Sequence, residues 1–218
     1  MTIVHHATGT TLLRYAAGTL AAGPAIVVEA HLAACPVCRA HVAEYEALGG
    51  ALLEQMEPMR LSPTALADVL GRIDAEDTVS PRLRQPAAAP MQIDGTPLPD
   101  ALRGCEVGRW RWMGPGMRMS RIGVPHDRGA KLILLKIGPG MALPEHGHVG
   151  TELTYVVAGS FSDALGRFGP GDLADLDAEV EHQPVVDPDS ECICLAAIEG
   201  RMRFNSVLGR MLQPLFGI

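Results

Sequence analysis

Gly140-Met-Ala-Leu-Pro-Glu-His146-Gly-His148-Val-Gly-Thr-Glu152-Leu-Thr-Tyr-Val-Val-Ala-Gly159 is the stretch on which the reading of this 218-residue chain turns. His146 and His148 are two apart, so on an extended strand their side chains point the same way. Glu152 returns to that side after a short turn, and His182 follows on a later strand. Three imidazoles and one carboxylate suit Zn, Mn, Fe or Ni and leave positions for water or a ligand. The competing reading is a barrel mouth whose histidines are solvated or hydrogen-bonded, with no metal.

Around that stretch the sequence has the punctuation of short strands. Lys131–Ile137, Leu153–Val157 and Glu191–Ile198 are apolar runs of strand length. Ala158-Gly159-Ser160, Gly138-Pro-Gly140 and Gly169-Pro-Gly171 mark the turns between them. Many short strands at close spacing predict a sandwich or barrel. Cys192 and Cys194 fall on one face of the third run, near the pocket, and read as small core hydrophobes, as does Cys105. His41 and His126 have no neighbouring ligand types and read as surface residues. A short helix is expected in the tail, Phe204 to Phe216.

Upstream, Pro81, Pro86, Pro90, Pro97 and Pro99 with Ala87-Ala88-Ala89 have the composition of a semi-rigid linker. The domain boundary is placed there. Before it the period is helical. Leu12, Tyr15, Ala16 and Leu20 stripe a first helix, about Thr10 to Thr19. Gly23-Pro24 breaks it, and a second helix is expected from Ala25 to Glu46. Gly49-Gly50 punctuates, a short helix follows to Pro58, and Ser62-Pro63 starts the next. That last helix carries the stripe Leu66, Val69, Leu70, Ile73, which serves either its own core or a partner.

The second helix holds His31-Leu-Ala-Ala-Cys35-Pro-Val-Cys38. On one continuous helix these three residues stand at i, i+4 and i+7 and share a face. Thiolates with imidazole suit tetrahedral zinc. His5 or His6 is then expected to close the fourth vertex and staple the first helix to the second. Buried cysteines beside a surface histidine are the plainer alternative.

Composition bounds the rest. Hydrophobic residues make up 47% of the chain and aromatics 4%, so aliphatic residues and Met must fill the core. No apolar run approaches the ~18–20 residues of a membrane span. The start, Met1-Thr-Ile-Val-His-His, lacks the basic and apolar regions of a signal peptide, so a cytoplasmic location is expected. Five cysteines in that compartment point to metal or redox chemistry rather than disulfides. Residues 1–80 hold four arginines and nine acidic residues, a balance of −5 within the overall −7. An acidic helical half disfavours direct nucleic-acid binding and favours a basic protein partner.

Taken together, His6, His31, Cys35 and Cys38 in a small acidic helical domain resemble the zinc-binding domain of bacterial anti-sigma factors. The Gly140-to-Gly159 spacing resembles the first motif of the cupin superfamily. The second cupin motif is matched by Gly169-Pro-Gly171-Asp172 and His182 but departs at Asp177-Ala-Glu-Val-Glu181. The whole chain resembles the ChrR-type anti-sigma factors. The resemblance implies a multidomain α plus β fold: a small helical zinc bundle over residues 1–77, a linker over 78–99 and a cupin-like β-barrel over 100–218. It implies zinc on His6 (rather than His5), His31, Cys35 and Cys38. A second divalent metal is expected on His146, His148, Glu152 and His182, with zinc ahead of Mn, Fe and Ni. The implied partner is an extracytoplasmic-function-type sigma factor, with no direct nucleic-acid or membrane contact. The chain would be no enzyme, and its cupin would sense an oxidative signal that triggers release. The rival readings are a cupin metalloenzyme, a small dioxygenase or hydrolase carrying a helical regulatory module, and a zinc-containing DNA-binding regulator.

Overall fold

Four helices come first in the computed structural model, which describes residues 2–76 and 91–204. They are α1 (Gly9–Ala16), α2 (Ala22–Ala34), α3 (Pro36–Glu54) and α4 (Ala65–Glu76). Thr8 caps α1, its hydroxyl accepting from the Thr11 amide. The single helix expected from Ala25 to Glu46 is in fact two, bent by 118°. Pro36 is the cause. It disfavours helical backbone at the residue before it, and Cys35 is extended, at φ −103° and ψ 105°. His31, Cys35 and Cys38 therefore do not share one helix face; they surround a corner. Gly49-Gly50 does not end a helix either, because α3 runs through it to Glu54.

Part of the proline-rich stretch is folded. A hairpin of β1 (Gln92–Ile93) and β2 (Thr96–Pro97) turns through Asp94-Gly95, both at positive φ. Leu98 behind it is buried. The folded body thus begins before the expected boundary at residue 99. The remainder of the expected linker, to residue 90, and the expected tail helix lie outside the described residues.

The rest is β: β3 (Glu106–Val107), β4 (Arg111–Gly114), β5 (Met117–Val124), β6 (Asp127–Ile137), β7 (His146–His148), β8 (Glu152–Ala158) and β9 (Phe161–Asp163). There follow β10 (Gly166–Phe168), β11 (Leu173–Leu176), β12 (Val185–Val186), β13 (Cys192–Ile198) and β14 (Met202–Phe204). The large sheet runs β11-β8-β13-β6-β5-β3, with β4 also on β5. The facing wall is built from β10-β9-β12 and β14-β7, joined by the bridges Ala142–Val185 and His146–His182. The walls close the expected barrel.

The large sheet is buried on both faces. On β6 and β13, Ile133, Leu135, Cys192, Cys194 and Ala196 face the barrel interior. The alternate residues Leu132, Leu134, Leu195 and Ala197 pack in one cluster with Val27, Val28 and Leu32 of α2. Every residue of β13 is buried. That explains why these strands read as unbroken apolar runs rather than alternating ones. The helical half and the barrel therefore share a core.

Candidate metal centres

At the α2–α3 corner, four side chains converge from three pieces of chain. His31 ends α2, Cys35 is the N-cap of α3, Cys38 lies in its first turn, and His6 arrives on the N-terminal arm. Cys35 Sγ and Cys38 Sγ lie 3.3 and 3.6 Å from His6 Nδ1, and His31 Nε2 lies 3.3 Å from Cys38 Sγ. One donor atom from each fits within 4.8 Å of all the others. His31, Cys35 and Cys38 have no solvent exposure. Burial and the neighbouring Cys35 push the Cys38 thiol up to about 11. Two sulfurs and two imidazoles at this spacing fit zinc. His5 turns away: its ring stacks on Phe168 at 4.0 Å and its Nε2 donates to the Arg167 carbonyl.

Inside the barrel, β7 brings His146 and His148, the start of β8 brings Glu152, and the bridge to His146 brings His182. His148 Nε2 is 2.5 Å and His146 Nε2 3.8 Å from Glu152 Oε2, and His182 Nε2 is 3.2 Å from His146 Nε2. All four residues are buried. Burial raises the Glu152 carboxyl, yet the two histidines outweigh it and hold the group well below its usual range. Burial likewise lowers His146, and Glu152 reverses the shift. Among the described residues, four buried side-chain polar atoms have no hydrogen-bond partner. Three of them are here: His148 Nδ1 stands alone, while His148 Nε2 and Glu152 Oε2 lack an aligned hydrogen bond but meet each other as an ion pair at 2.5 Å. A buried carboxylate needs cationic company, and one donor atom from each of the four residues lies within 4.8 Å of all the others, close enough to share one cation. The donor set fits a divalent metal with a vertex to spare.

Comparison with known proteins agrees with this geometry. A family model described as "ChrR Cupin-like domain" matches residues 100–200, and a zinc-finger model matches residues 12–39. The anti-sigma-E factor ChrR of Cereibacter sphaeroides is 42% identical over 220 residues, covering 100% of both chains. This chain belongs to the ChrR-type anti-sigma factors. A crystal structure of Rhodobacter sphaeroides SigE in complex with the anti-sigma ChrR matches with a TM-score of 0.70 and 37% identity. It covers 91% of this chain and 100% of that one. The ChrR-type family is one of regulators rather than of enzymes.

In this ChrR-type chain, residues outside the donor sets decide how the donors are aimed. His182 Nδ1 donates to Asp163 Oδ2 at 2.8 Å, and His146 Nδ1 to the Pro144 carbonyl at 2.9 Å. Both rings then turn Nε2 toward the cluster. At the corner, His31 Nδ1 donates to the Gly171 carbonyl of the barrel, 2.8 Å away. The next residue, Asp172, accepts from the amides of Val4 and His5, at 2.8 and 3.0 Å. Asp175 accepts from the Thr8 amide, and Leu173 donates to the His5 carbonyl. The arm carrying His6 is thus laid along β11. Gly171 sits at φ +92°, where a Cβ would press on Ile3 at 3.0 Å, so glycine is required where the arm crosses. Asp163 and Asp172 carry no ligand-type spacing in the sequence. The signal for Asp172 was its place in Gly169-Pro-Gly171-Asp172.

Proposed function

We propose that this chain binds an extracytoplasmic-function-type sigma factor through its helical half and keeps it from RNA polymerase. Its cupin responds to an oxidative signal by favouring release. Zinc on His6, His31, Cys35 and Cys38 holds the helical half in its binding shape. A divalent metal on His146, His148, Glu152 and His182, zinc in the first instance, anchors the barrel. The cupin metal would act as a Lewis acid on whatever reaches its free position. The working place of such a regulator is the cytoplasm, where RNA polymerase is.

The observation that carries the reading, beside full-length family membership, is an apolar surface that the described residues leave exposed. Leu66, Val69, Leu70 and Ile73, the whole stripe of α4, are 51–72% exposed. Leu48, Leu52, Leu53, Met56, Met59 and Leu61, from the end of α3 and the stretch beyond it, are 55–87% exposed. Exposed apolar residues in this number mark a protein interface. The acidic character of the helical half suits a basic partner.

The route from signal to release runs through the N-terminal arm. A cupin signal matters only if it changes the relative stability of the bound and free states. The hairpin β9–β10 carries both Asp163, which aims His182, and Arg167 and Phe168, which grip His5 beside His6. Movement at the cupin metal therefore reaches a ligand of the helical zinc through one hairpin.

The test is co-purification. Tagged full-length chain from its own host is expected to bring down a sigma factor in about one-to-one ratio. The Leu66→Asp/Leu70→Asp chain is expected to keep its zinc and lose the partner. Recovery of no sigma factor with the unaltered chain sinks the reading.

A further inference from the structure

The cupin donors do not face open solvent. They form one end of a cavity of about 290 Å³, at the small end of the range for ligand pockets. His146, Glu152 and His182 line it, while His148 does not reach its wall. The rest of the wall is apolar, formed among others by Met113, Met117, Leu135, Leu143, Phe161 and Ala196. Among the described residues the lining also holds Thr154, whose hydroxyl already donates to Glu152 Oε1 at 2.8 Å, and the thiols of Cys192 and Cys194. Among the described residues no lysine, arginine or amide side chain lines the space.

We infer that this cavity binds a small amphiphile, with one anionic oxygen head on the metal and an unbranched apolar body against the Met and Leu wall. The inference rests on the metal reading given above. A divalent ion with three neutral imidazoles and one carboxylate keeps a net charge of +1. In a buried apolar chamber that charge favours an anionic oxygen at the vertex facing the cavity. Beyond Thr154, the described side chains of the wall add only the weakly polar thiols of Cys192 and Cys194, which leaves most oxygens of a sugar or phosphate unpaired and disfavours them. What remains selective is apolar area, and each buried methylene is worth about 0.8 kcal/mol, or about fourfold in affinity.

The test uses the full-length zinc-loaded protein, with metal counted by plasma emission and binding measured by calorimetry. The probes are acetate, butyrate, hexanoate, octanoate and, as the headless control, octanol. Affinity should climb along the acid series, with octanoate on the order of 100-fold or more above acetate, and octanol should fall well below octanoate. Two variants narrow the chamber without touching a donor: Ala196→Leu on β13 and Leu143→Trp at the half-buried rim. Either should cost octanoate at least tenfold at unchanged zinc content; the rim variant leaves the core intact if the other fails to fold. Equal affinities for acetate and octanoate overturn the inference, as does octanoate binding that neither variant weakens. Two zinc ions per chain with no octanoate binding sink the ligand and leave the metal reading standing. One zinc per chain, lost on Cys35→Ser/Cys38→Ser, sinks the metal reading itself.

Discussion

The two donor clusters differ in how they are assembled. The barrel cluster is local: β7 and the bridge at His182 on the facing wall and the start of β8 on the large sheet all belong to the barrel, and its aiming residues Pro144 and Asp163 lie on the barrel too. The corner cluster is distributed: arm, α2 and α3 each bring a part, and the barrel aims two of the four ligands through Gly171 and Asp172. A local cluster reports on what enters its own chamber. A distributed one reports on whether separate pieces remain packed together. The difference suits a sensor and an effector respectively.

Metal removal should separate the clusters most sharply. The Cys35→Ser/Cys38→Ser chain is expected to lose one metal equivalent and its partner, and to keep the barrel. The His146→Ala/His148→Ala chain is expected to lose the other equivalent and still bind the partner, but not to release it under oxidative stress. Metal analysis with a transcription reporter distinguishes the outcomes, and an unchanged induction ratio removes the sensing role from the barrel metal. Next in size is the shared core. Leu195→Ala removes a fully buried side chain from the face that α2 covers. It should cost about 2–5 kcal/mol and lower one common melting transition; two separate transitions would show that the halves unfold independently.

Both double-cysteine and double-histidine tests use residues legible in the sequence, because ligand chemistry demands residue types at set spacings. All eight candidate donors come together in two clusters. What the spacing did not reveal is the corner at Cys35. Pro36 was in plain view, but an i, i+4, i+7 match suggested a continuous helix. The shared core was also encoded. Lys131–Ile137 and Glu191–Ile198 do not alternate, and a strand apolar on both faces needs a cover on both. A proline-rich linker drew the reading toward separate halves instead. The arm on β11 was not legible, since backbone amides donating to Asp172 leave no pattern in a sequence.

Two smaller effects sharpen the contrast. Asp172→Asn should weaken the corner zinc by about 10–100-fold and leave the barrel metal alone. Asp163→Asn should do the reverse, by a similar factor, because it aims only His182. Competition with a chromophoric chelator reads both, and equal loss at both sites in either variant would show one coupled centre rather than two. Smallest is His5→Ala, which removes one ring stack and one exposed hydrogen bond. It should cost the corner zinc about two- to tenfold (about 0.5–1.4 kcal/mol), whereas His6→Ala removes a ligand. Equal losses would mean that His5 and His6 exchange places.

On the ribosome the helical half emerges first, and β13 emerges last of the three strands, β6, β8 and β13, on which α2 rests. Until residue 198 is clear of the tunnel, Val27, Val28 and Leu32 lack part of the sheet that covers them in the finished fold, and domains left incomplete expose such surface. The turn that grips His31 and the arm is made only about 140 residues after His31 itself. A chain cut short by stalled synthesis is therefore expected to be a loosely built inhibitor with a weak hold on a metal at the corner. On the proposed function, silencing at full strength would then belong to chains that also carry the barrel through which release is triggered.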